Sequence, residues 1–228
     1  MKTIKKEVAI TVPKDWSAVT LRQYLDLKKD MDAYEGEHDA ILACMFHHLA
    51  KFPVEYIKGL DITTYNAIVN DMTSFLGNVE LPLQKFIDID GVEYGFEPNL
   101  SQMSYGAYVD IAKYDSMEMN EKWAEIMSIL YRPVIKKTGK LYDIETYSAK
   151  IDGEPFMDVT MDVHFGAIFF FKTLLKDLLS SIQKSLMHQK EIPHSIQQIL
   201  ERNGNLIQAL SNSQTEISSK WTRLQNNR

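Results

Sequence analysis

At 228 residues, with 45% hydrophobic and 25% charged side chains, the chain is long enough to bury a core without disulfides or metals. Its one cysteine, Cys44, excludes an internal disulfide and suits a reducing compartment. The net charge of −6 is uneven: Lys172 to Arg228 carries eight Lys and Arg against four Asp and Glu, leaving −10 on residues 1–171, and so dilute a basic tail argues against specific nucleic-acid binding.

Met1 to Lys6 is basic, but the apolar run Val8 to Val12 stops at Pro13, too short for the core of a secretory signal. Val8, Ile10 and Val12 alternate, which predicts a strand over Glu7–Val12. Thr20-Leu21-Arg22-Gln23 has the form of a capping box and predicts a helix with Leu21, Tyr24, Leu25 and Lys28 on one face, ended by Gly36. Ile41, Leu42, Met45, Phe46 and Leu49 predict a second helix over about Glu37–Lys51, stopped by Pro53. A third is expected over Ile62–Leu76, with Tyr65, Ile68, Val69, Met72 and Phe75 inward.

Asp90-Gly91 between two apolar runs predicts a β-hairpin over about 85–96, which the N-terminal strand could join as a third strand. Helices follow at Ser104–Tyr114 and Glu121–Leu130, the second ended by Arg132-Pro133. Val134–Pro155 reads as an ordered loop or weak strands. The longest helix is expected at Val159–Met187. Its apolar stretch Val163–Leu179 is interrupted by His164, Lys172, Lys176 and Asp177, so it predicts a buried helix rather than a membrane span.

Beyond Pro193, Ile196, Leu200, Asn203, Ile207, Leu210, Gln214, Ile217, Trp221 and Leu224 follow 4-3 spacing, the seam of a coiled coil or of a helix laid in a groove. Residues off the seam are mainly polar, so the helix needs a surface to lie on. That surface is either another chain, with Leu200, Ile207, Leu210, Ile217, Trp221 and Leu224 as the interface, or the chain's own body. Gly204 is unfavourable inside a helix and is a candidate kink.

Groups able to do chemistry are sparse. The sequence lacks a phosphate loop, a nucleophile elbow and a zinc pattern. Cys44, His47 and His48 fall close together on one predicted helix, but an apolar setting makes an inert thiol the simpler reading. His164 stands at the start of the apolar helix as a structural histidine or a proton carrier. Asp158 and Asp162 lie one turn apart, where helix capping accounts for them without acid–base chemistry or a cation. Asp88 and Asp90 belong to the hairpin turn. Tyr94, Tyr105, Tyr108, Tyr114 and Tyr131 lack interleaved cations, so packing explains them better than base stacking.

Four segments carry a resemblance. They are Val12-Pro13-Lys14-Asp15-Trp16-Ser17-Ala18-Val19-Thr20-Leu21, the hairpin leading into Phe96-Glu97-Pro98-Asn99-Leu100, Ile129-Leu130-Tyr131-Arg132-Pro133, and Phe165-Gly166-Ala167-Ile168-Phe169-Phe170-Phe171. Together they resemble small structural and assembly proteins of tailed bacteriophages, in the style of the virion gene blocks of crAss-like phages. The resemblance spans most of residues 10–180 and implies a virion component or assembly factor near the portal, tail or packaged interior, assembled in the host cytoplasm.

The expected fold is α+β and predominantly helical: a body over 1–192 with a small β-hairpin sheet, and an extended C-terminal helix over 193–228 for self-association or a partner. The expected function is non-catalytic and works through contacts with other virion proteins or with itself as a homo-oligomer. No cofactor, small-molecule substrate, membrane or specific nucleic acid is expected. An assembly chaperone left out of the particle is the alternative, and a metal- or thiol-dependent enzyme a lesser one.

Overall fold

The computed structural model describes residues 10–34, 36–99, 103–113, 122–186 and 194–226. They form a predominantly helical α+β fold with α1 (Leu21–Ala33), α2 (His38–His48), α3 (Ile62–Ser74), β1 (Phe86–Ile89), β2 (Val92–Phe96), α4 (Tyr105–Ile111), α5 (Trp123–Leu130), β3 (Tyr131–Thr138), β4 (Leu141–Ile144), α6 (Met161–Leu186) and α7 (His194–Asn226).

Local chemistry sets the helix starts. The capping box of α1 forms: the Gln23 N–H donates to the Thr20 hydroxyl at 3.3 Å and the Thr20 N–H donates to the Gln23 carboxamide at 3.1 Å. Asp61 caps α3 by accepting the Thr64 N–H, and Ser104 caps α4 by accepting the Ala107 N–H. The buried line of α1 is Leu21, Tyr24, Leu27 and Met31, rolled away from the expected Leu25 and Lys28. Lys28 is half-buried, its ammonium 2.9 Å from Asp32 and 3.9 Å from Glu216 of α7. Helices α2 and α3 bury the expected Leu42, Met45, Phe46, Ile68 and Met72.

The four strands form one antiparallel sheet in the order β1-β2-β3-β4. Asp90 and Gly91 have φ of 53° and 80°, the two positive values that a tight hairpin turn requires. Among the described residues, the third strand of the sheet is β3 and not the N-terminal segment. Ile10 to Val12 form no strand, Glu7 to Ala9 lie outside the described residues, and β3 takes the place beside β2. The helix before Arg132-Pro133 ends at Leu130, as expected. Helix α5 passes into β3 at Tyr131 without a loop, and Val134–Pro155 contains most of β3 and all of β4. Pro133 is tolerated because its carbonyl takes the Glu145 N–H at 2.9 Å beside an irregularity between Val134 and Lys136, where the ladder is already interrupted.

The core runs through the N-terminal half of α6. The Phe165 ring lies edge-on to Trp16 at 5.0 Å and to Trp123 at 5.4 Å. Gly166 lets α6 pass tightly under Pro82, because a Cβ there would sit 2.4 Å from the Pro82 carbonyl oxygen. The N-terminal segment bridges to α6 through Thr20 and Thr160, with the Met161 N–H donating to the Val19 carbonyl at 2.8 Å. Phe96 joins the sheet to this core, 5.3 Å from Tyr131 and 5.8 Å from Phe170. Helix α7, with 33 residues, exceeds the 26 of α6, which had been expected to be the longest.

Candidate interaction surfaces

Helix α7 lies against the chain's own body. Its buried residues are Asn203, Leu206, Ala209, Leu210, Ser213 and Ile217. The expected seam shares Asn203, Leu210 and Ile217 with this line, but Leu206 and Ser213 take the places of Ile207 and Gln214, so the helix is rolled by one residue. Both polar members of the seam are bonded within the chain. The Tyr108 hydroxyl donates to the Asn203 carboxamide at 2.8 Å, and the Lys172 ammonium donates to Gln214. Near its C-terminal end, Lys220 bonds Asp32 of α1 at 2.6 Å.

Of the expected interface residues, Leu210 and Ile217 therefore belong to the chain's own core, Leu200 and Ile207 are half-buried, and the side chains of Trp221 and Leu224 lie outside the described residues, as does that of Ile196. The helix is unbroken at Gly204, so the kink considered there is absent.

The reactive-looking groups are also held in the packing. Cys44 is buried, which pushes its thiol up, away from reactivity. His48 lies 2.7 Å from Asp30, and its ring meets that of His47. His164 is fully buried, with Nε2 3.0 Å from the Phe156 carbonyl and its ring stacked near Trp123; burial pushes its pKa down to about 4, so it is neutral at physiological pH. The pair Asp158 and Asp162 is divided between separate partners. Asp158 meets Arg22 at 3.0 Å, which holds its carboxyl below the usual range, while Asp162 accepts from Gln84 at 2.6 Å. Among the described residues, no three His, Cys, Asp or Glu side chains gather as a metal set, and no helix is long and apolar enough to cross a membrane.

Among the described residues, no strand pairs with either rim of the sheet. At one rim, a cleft of about 790 Å³ runs along β1, lined consecutively by Phe86, Ile87, Asp88, Ile89 and Asp90 and across from them by Asp152, Glu154, Pro155, Asp158 and Val159. The register fixes which backbone groups face it. Lys85 bonds Phe96 and the turn closes on Ile89 and Val92, so residues 85, 87 and 89 point their groups to β2. The N–H and C=O of Phe86 and Asp88 then point into the cleft.

The other rim is β4 and the tip of the β3–β4 hairpin. β2 pairs with β3 only as far as Pro133, so the hairpin tip runs beyond it as a two-stranded ribbon. On this tip Ile135 is 64% and Leu141 78% exposed. Lys136, Lys137 and Lys140 surround them. By the same alternation, Glu145 bonds inward to Pro133, and Tyr142 and Ile144 point their backbone groups to the open rim. The sequence reading of Val134–Pro155 as an ordered loop or weak strands contained this ribbon in its second alternative but did not place the strands. The only signal for it was Thr138-Gly139, a turn between short polar runs.

Comparison with family models, with curated proteins and with solved structures finds no match to the chain.

Proposed function

We propose that the chain is a non-catalytic structural or assembly component of a tailed-phage particle, acting through protein–protein contacts. The observation that carries the reading is the projecting β3–β4 ribbon, on which the apolar Ile135 and Leu141 are exposed together. Open strand rims are a hazard that soluble proteins usually blunt or cover, and two open rims suit a chain whose partners complete the sheet.

The four segments that resemble tailed-phage proteins support the reading in a further way, because they meet in one core. Trp16 packs on Phe165, Phe96 pairs with Tyr131, Glu97 bonds Arg132 and Phe96 reaches Phe170. The resemblance thus rests on residues that must coexist for the fold to form.

Protein content of purified particles tests the proposal. A stoichiometric amount of the chain in particles supports a structural component. Abundance in the producing cell with absence from particles assigns it instead to an assembly chaperone. Particles of normal yield and composition made without the chain would overturn both.

A further inference from the structure

We infer that copies of this chain associate head to tail, the β3–β4 hairpin of one copy docking into the cleft along β1 of the next. The inference rests on the reading that the chain works through protein contacts, and it names the partner as a second copy.

Three complementarities on the two rims support this occupant. The first is backbone pairing. The cleft offers the free N–H and C=O groups of Phe86 and Asp88, and β4 offers those of Tyr142 and Ile144 at the same two-residue spacing. Joining the rims continues the sheet from one copy into the next.

The second is charge. The cleft carries Asp88, Asp90, Asp152, Glu154 and Asp158, with Arg22 the cation bonded to Glu154 and Asp158. The hairpin carries Lys136, Lys137 and Lys140 against Asp143. Lys137 is held by Glu93 at 2.7 Å and lies over the Phe86 ring, which leaves Lys136 and Lys140 to meet the carboxylates of another copy. The third is apolar fit. Ile135 and Leu141 on the ribbon match Ile89, Pro155 and Val159 in the cleft.

The two surfaces lie on opposite rims of one sheet and differ from each other, so the contact is heterologous. Each copy keeps a free rim after joining one neighbour, and the assembly grows until it closes as a ring or continues as a filament.

The test uses the full chain in sedimentation velocity over a range of concentrations, with complementary charge reversals. One variant carries Lys136→Glu and Lys140→Glu, the other Asp88→Lys and Asp152→Lys, and circular dichroism verifies that each is folded. Wild type is expected to form species beyond the dimer that dissociate as salt rises. Each variant alone is expected to remain monomeric. An equimolar mixture is expected to associate again, because the acidic hairpin of one variant meets the basic cleft of the other, and the reverse. If a strand replacement unfolds the sheet, Lys140→Glu and Asp152→Lys at exposed turn and loop positions supply the same complementary pair.

A wild type that stays monomeric, association that both variants retain, or folded variants whose mixture stays monomeric would each overturn the inference. A chain that is monomeric in solution yet abundant in purified particles overturns the inference and leaves the proposed function standing.

Discussion

Single buried polar groups set much of this molecule's response to conditions. His164 is neutral in the folded chain because burial holds its pKa at about 4, while an unfolded histidine takes up its proton near the ordinary 6.5. Below the ordinary value the unfolded state binds the extra proton. The contribution to stability is therefore full above about pH 6.5, falls as pH drops toward 4, and levels off below it. Its size is on the order of 3 kcal/mol. Urea midpoints at pH 7.5 and pH 4.5 should differ by less in His164→Gln than in wild type, since glutamine retains a donor for the Phe156 carbonyl and does not titrate. Glu97 and Arg132 form an ion pair with side chains only 9% and 12% exposed. Removing the carboxylate strands the guanidinium in the core, so Glu97→Ala should lower stability by about 3 kcal/mol in a denaturant titration.

At the scale of elements, α7 contains a position that favours stabilisation. Gly204 lies within an unbroken helix, and an added Cβ there meets nothing within 4 Å. Gly204→Ala should raise stability by about 1 kcal/mol, read as a rise of roughly 2–4 °C in Tm. How far the elements were legible follows from how local their signals are. The capping box at Thr20 and the Asp90-Gly91 turn involve residues three or fewer apart, and both formed as expected. Strand β3 was legible only as one of two readings, loop or weak strands, because Pro133 and the run Lys136-Lys137-Thr138 argue locally against a strand, and the pairing with Tyr131, Arg132 and Pro133 comes from a strand far back in the chain. The roll of α7 was equally hidden. Whether Leu206 or Ile207 faces inward is set by the body on which α7 lies, joined to it by contacts such as Tyr108 with Asn203, 95 residues apart, that no periodicity contains. The open rims could not be read at all before the strand order was known.

At the scale of the whole molecule, α7 works as a strap across α6, with further bonds from α4 and α1. A chain truncated after Pro193 loses the apolar cover that Leu206, Leu210 and Ile217 supply. Light scattering on a sizing column should find it aggregated or expanded, and a compact, stable monomer would show that the strap is dispensable.

The bond between Lys220 and Asp32 joins residues 188 positions apart, and that separation is also an interval of time. At about 5–20 residues per second, the ribosome delivers Lys220 roughly 10–40 s after Asp32. For that interval α1 exists without the helix that will cover its end. Newly made chains therefore pass through a stage in which Tyr24 and Met31 await Ile217.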